Sequence, residues 1–150
     1  MNDRYLYRAK RMDNGEWIVG NRIDDGVTGQ VFIHAAGNTV NESDKVGEDG
    51  YLRFVAFEVD PSTICQCTGL KDKNGKLIFE NDIVRCGKNC TVTWCDTFAS
   101  WRLNTSRWMH SHFFGEACEP EDVEIVGNIF DNPELLEVGC GQKLDRGDEK

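Results

Sequence analysis

The residues best suited to chemistry in this 150-residue chain are its cysteines and histidines. Cys65, Cys67, Cys86, Cys90, Cys95 and Cys118 lie in the body of the sequence, with His110 and His112 among them. A zinc site needs four thiolate or imidazole ligands in a tetrahedron, usually built on C-x₂-C knuckles. The spacings here are C-x-C, C-x₃-C and C-x₄-C, so that knuckle is missing. Cys86 and Cys90 flank a tight turn and would approach one another across a hairpin. The favoured reading is small buried hydrophobes and free thiols, with no metal and no cofactor implied. The "HSH" at 110–112 sets two imidazoles on one side of an extended segment, a weak metal pair at best.

A second group is basic and aromatic: Lys88, Arg102 and Arg107 interleaved with Trp94, Trp101 and Trp108. Small barrels bind single-stranded nucleic acid by stacking bases on aromatics in a basic groove. Alternation along "TVTWC" and "ASWRL" puts Val92 with Trp94, and Ala99 with Trp101 and Leu103, on inward faces. Core packing is therefore the expected role of Trp94 and Trp101. Trp108 beside Arg107 is the better candidate for an exposed contact. The carboxylates of "EACEPEDVE" (116–124) lack the alternating oxygens and central glycine of a calcium loop and read as a solvated acidic face. The phosphate-cradling G-x-x-x-x-G-K-[ST], the nucleophile turn G-x-S-x-G and the zinc motif H-E-x-x-H do not occur. No catalytic residue is assigned.

The elements that would carry these groups are short and extended. "YLYRAKR", Asn14-Gly15 and "EWIVGNRI" read as a hairpin. "DDG" at 24–26 is a second turn and "VTGQVFIHAA" a third strand region, while the polar, acidic stretch 37–50 reads as a mobile loop. In "YLRFVAFEV" (51–59) both faces are apolar, which predicts a central buried strand ended by Asp60-Pro61. "KDKNGK" is a turn between the strands "LIF" and "DIVRC", and "CGKNC" turns into the next strand. "VEIVGNIF" is a strand, and "DNPELL" a helical turn with Asn132 as N-cap and Pro133 at the first helical position. The pattern predicts a mainly β chain with small SH3-like β-barrel elements, additional N-terminal strands and one or two short helices. One domain is expected over 1–137, divisible into lobes of about 1–63 and 64–137, with 138–150 a flexible C-terminal tail.

Fifteen glycines suit many short elements, and a chain of this size buries roughly 70% of its unfolded surface without needing a disulfide. Net charge is −9, distributed as +2 over 1–23, −6 over 24–63, +3 over 64–115 and −8 over 116–150. That balance argues against a general DNA-coating role, because phosphate neutralisation dominates such binding. No 18-residue apolar run occurs and "MNDRYLYRAK" has no apolar leader core, so the expectation is a cytoplasmic protein that does not enter membranes. Seven cysteines are then expected mostly as thiols.

"TGLKDKNGKLIFENDIV" (68–84) resembles the central motif of the YopX family of phages and prophages. "VEIVGNIFDNPELL" (123–136) resembles that family's C-terminal signature, and "RYLYRAKRMDNGEWI" (4–18) its N-terminal element. The resemblance implies a mainly β fold with barrel-like parts, carries no established activity and supplies no catalytic residues. Asn81 stands where the family commonly has glycine, and asparagine tolerates the same left-handed turn. The motif positions Gly69, Asp72, Gly75, Asp82, Gly127, Asn128, Asn132 and Pro133 are read as structural: turns of positive φ, amide-binding carboxylates, a bulge and a cap. The expected function is that of a phage or prophage accessory protein in the bacterial host cell, a non-enzymatic binding or assembly module and a homo-oligomer. A nucleic-acid-binding small barrel is the alternative, and a metal-assisted enzyme a further one.

Overall fold

A computed structural model describes residues 3–35, 45–46, 52–53, 56–105, 112–116 and 118–136. The chain divides into two compact units, Met1–Cys67 and Thr68–Lys150.

In the first unit, β1 (Tyr7–Lys10) and β2 (Trp17–Asp24) form the expected hairpin, with Gly15 at φ +73 and Glu16 N donating to Asn14 Oδ1 at 2.9 Å. The next turn uses Asp25, whose carboxylate accepts from Val27 N and the Thr28 hydroxyl, and delivers the chain into β3 (Val31–Ala35). The two-residue strands β4 (Lys45–Val46) and β5 (Leu52–Arg53) pair with each other; the rest of 37–50 lies outside the described residues. After β6 (Ala56–Val59), β7 (Cys65–Lys71) starts beside β1, with Arg8 opposite Cys65. The antiparallel strand order is β6-β3-β2-β1-β7. Ala9, Val31, Ile33 and Val59 are its buried centre, with Tyr7, Ile18 and Ile64 packed against them.

Of the stretch 51–59, read as one central strand, the described residues fall in β5 and β6, which belong to different sheets. Among the described residues β6 pairs by ladder with β3 alone, Glu58 is exposed, and only a single bridge, Arg11 to Val59, reaches its other edge. An apolar run is compatible with either placement, and hydrogen-bond partners three strands away in sequence decide between them. Asp60 does end it: its carboxylate accepts from Ser62 N at 3.0 Å, and the buried Thr63 hydroxyl receives Lys10 N at 2.9 Å.

The second unit places β8 (Leu77–Phe79) next to the C-terminal half of β7. Its main sheet comprises β9 (Asp82–Cys86), β10 (Lys88–Cys95), β11 (Ser100–Asn104), β12 (His112–Phe113) and β13 (Glu124–Asn128), ordered β12-β11-β10-β9-β13. The β9–β10 hairpin turns at Gly87, φ +71. Ile78, Val84, Cys90, Val92, Leu103 and Val123 form the core. Each such aliphatic side chain contributes about 1.5–3 kcal/mol by leaving water.

Both units are thus mainly β, built on antiparallel sheets, but the sheets are open and do not close into the expected SH3-like barrel. Turn residues and alternation specify strands; closure depends on shear and curvature, which no local pattern encodes. Trp94 shares the face of Val92, yet it is 43% exposed: its register partner Trp101 packs against the core, and Trp94 meets that ring edge-to-face. Ala99 is outside β11, exposed, and held at φ +49 in the turn that precedes it.

Candidate functional site

Two of the motif segments are clasped together in the second unit. Asp72 is 4% exposed. Its Oδ1 accepts from Asn74 N and Lys76 N, both at 2.9 Å, closing the turn in which Gly75 has φ +81. Its Oδ2 accepts from Ile125 N at 3.1 Å, and Lys73 N donates to Val123 O at 2.9 Å. Burial alone would push this carboxyl upward; the three amides and the nearby Lys76 charge outweigh it, and the group is held below the ordinary aspartate value. Asp82, 1% exposed, accepts from Phe79 N at 2.7 Å at the entry to β9. Between them Asn81 takes φ +69, and its backbone ties β10 to the residue after β13: its N–H donates to Val92 O and its carbonyl accepts from Ile129 N. Gly69 also has positive φ, +81.

β13 carries the complementary half. Its register slips between Ile125 and Gly127, a bulge opposite Val84 and Ile83. A Cβ on Gly127 would stand 2.5 Å from Asn132 Oδ1, so the close approach of that side chain requires glycine. Asn128 Oδ1 accepts from Phe130 N and Asp131 N, folding the chain back. Asn132 does not act as the expected side-chain cap among the described residues: its Oδ1 receives Asn128 N at 3.3 Å, and its carbonyl receives Leu135 N. Pro133 starts the short turn that follows, which Asn89 Nδ2 anchors at Leu135 O, 3.0 Å away.

The cysteines separate by chemistry. Cys86 on β9 is disulfide-bonded to Cys118, rather than standing as a thiol near Cys90. Sequence spacing gave no sign of this pair, since it joins positions 32 apart that meet only when the segment after β12 folds over the sheet. Cys65, Cys67, Cys90 and Cys95 are buried and not disulfide-bonded, and burial pushes Cys90 upward. Among the described residues no three His, Cys, Asp or Glu side chains are grouped to hold a metal ion.

The basic candidates do not gather on one surface. Lys88 begins β10, and Arg102 lies opposite Thr93, five residues or ~17 Å further along that strand. Arg102 stacks on Phe113, 5.2 Å from its centroid, on the opposite face of β11 from Trp101. Arg107, Trp108 and His110 lie outside the described residues.

What the sheet does assemble is an exposed aromatic end. Trp94 and Trp101 pair across the strands edge-to-face with centroids 5.1 Å apart, and Phe98, 67% exposed, meets Phe113 at 5.7 Å. Beside Trp101 opens a cleft of about 370 Å³, walled by Leu70, Trp101, Phe114 and Pro120, with Ser100 and Glu119 at its polar lip. The disulfide tethers its outer wall: Cys118 immediately precedes Glu119 and bridges back to Phe114. Sequence reading missed this cleft because it is built from four separate segments.

These features define an open-sheet, mainly β protein whose strongest motifs maintain its own backbone. A family model described as YopX protein matches residues 6–137, and the chain belongs to that family. No curated protein matches it. None of its described helices is long and apolar enough to cross a membrane.

Proposed function

We propose that this protein is a phage-type accessory protein of the bacterial host cytoplasm that acts as a non-enzymatic binding module, using the aromatic end of its second unit. Family membership supports the phage-type setting. The observation that carries the binding role is the Trp94–Trp101 pair, with Trp94 43% exposed, beside a ready-made cleft, with Phe98 adding exposed aromatic surface where it meets Phe113 on the other face. Aromatic side chains of low conformational freedom anchor protein contacts, and exposed apolar surface of this kind marks interaction sites. A hairpin displaying aromatics beside a cleft is how SH3-like domains dock segments, and the open second sheet offers that arrangement without a closed barrel. A nucleic-acid ligand fits less well, because Lys88 and Arg102 are apart and the cleft's lip is acidic.

The test is unbiased peptide display on the immobilised full chain. Enrichment of a sequence consensus that disappears with Trp101→Ala supports the proposal; enrichment indifferent to both Trp94→Ala and Trp101→Ala refutes it. A second copy of the chain is the other occupant of such a surface. Light scattering on the eluting species reads it out, and a dimer dispersed by Phe98→Ser would make that self-contact the function.

A further inference from the structure

We infer that the cleft beside Trp101 docks a basic, proline-containing segment of a partner protein. The inference rests on the binding-module reading and adds the partner's chemistry. The cleft's lining combines Leu70, Trp101, Phe114 and Pro120 with the polar Ser100 and Glu119. Trp101 and Phe114 are only partly buried, packed on the core with their remaining surface turned to the opening. Aromatic walls of this kind accept an extended proline-rich segment, which is already ordered before docking and loses little entropy.

Charge selects among such segments. Glu119 lines the cleft and is exposed, and the exposed Glu116, Glu121 and Asp122 flank it in sequence. Among the described residues no cation pairs with any of these four carboxylates, whereas Glu124 beyond them already meets Lys73 and Arg85. A lysine or arginine adjoining the proline would reach Glu119 while its stem covered Trp101, where the indole face favours a cation. A phosphate backbone at the same lip would be repelled.

Calorimetric titration of the full chain with three capped nonapeptides, repeats of Pro-Pro-Arg, Pro-Pro-Gln and Pro-Pro-Glu, tests this. The arginine peptide is expected to bind saturably, more weakly at high salt, and better than the glutamine peptide. Glu119→Gln weakens it about 2–5-fold, the range of an exposed ion pair. Glu119→Lys abolishes it and admits the glutamate peptide. Glu134→Gln, equally acidic but in the C-terminal turn, leaves it unchanged. Trp101→Ala removes binding, and Trp101→Phe, which keeps the core packed, retains part of it. Equal affinity for the arginine and glutamine peptides, with Glu119→Lys silent, overturns the inference while leaving the binding-module reading to the display experiment. So does the lack of any saturable heat up to about 1 mM peptide, or binding of oligothymidylate in the peptides' place.

Discussion

Asp72 is the residue whose removal most directly tests the clasp between β13 and the 72–76 turn. Asp72→Asn keeps size and one carbonyl oxygen, so Asn74 N and Lys76 N retain an acceptor. The other oxygen becomes an NH₂ facing Ile125 N, two donors at the 3.1 Å now occupied by a hydrogen bond. A hydrogen bond to a charged group contributes about 1.5–3 kcal/mol. Losing that one, and the charge behind the other two, is expected to cost roughly 2–3 kcal/mol; Asp72→Ala, which strips all three, costs about 4 kcal/mol. With a urea slope of about 1–3 kcal/mol per molar, the asparagine variant should unfold about 1–2 M earlier. Tryptophan fluorescence in urea is the assay, since Trp94 and Trp101 lie in the affected unit. The pH dependence gives a second reading. The folded-state pKa lies below the ordinary 3.8, so the charged form is favoured by folding. That stabilisation is complete above the unfolded value and fades as pH falls from about 4 through the lower folded value. The wild type should lose this increment in acid, and Asp72→Asn should lose correspondingly less over the same interval. A variant within about 0.5 kcal/mol of wild type, with an unchanged acid limb, would falsify the clasp.

Reducing the Cys86–Cys118 bond, which closes a 32-position loop, should destabilise the second unit by about 3–4 kcal/mol on the chain-entropy account. Melting with and without a phosphine reductant should then differ by roughly 15–30 °C, and a Cys86→Ser/Cys118→Ser double variant should be indifferent to reductant. Gly127→Ala forces a methyl into the Asn132 side chain and is expected to cost about 1–3 kcal/mol in urea unfolding; adding Asn132→Gly should recover much of it, and a silent Gly127→Ala would contradict the close approach. Ala99→Gly relieves a residue held at φ +49 and should stabilise by about 0.5–1 kcal/mol, a gain that any loss of stability in the same assay would refute.

The sequence by itself determined the local conformations. Asn14-Gly15, Asn74-Gly75 and Gly87 each mark a turn that backbone sterics confine to few residue types, and "TVTWC" displays the two-residue period of its strand. It also determined which family the chain joins, because the motif residues answer to nearby backbone needs: Asp72 to amides two and four residues on, Asn128 to those two and three on. Only the tertiary structure decided what lies between distant positions. Whether 56–59 became a centre or an edge, whether Trp94 was covered, whether Cys86 found Cys90 or Cys118, and that Leu70, Trp101, Phe114 and Pro120 enclose one cleft all depend on sheet order and on where the core ends. Those quantities are set by pairing across tens of residues, where no periodicity reaches; alternation assigns Trp94 a face, but only the extent of the neighbouring sheet determines whether anything covers it.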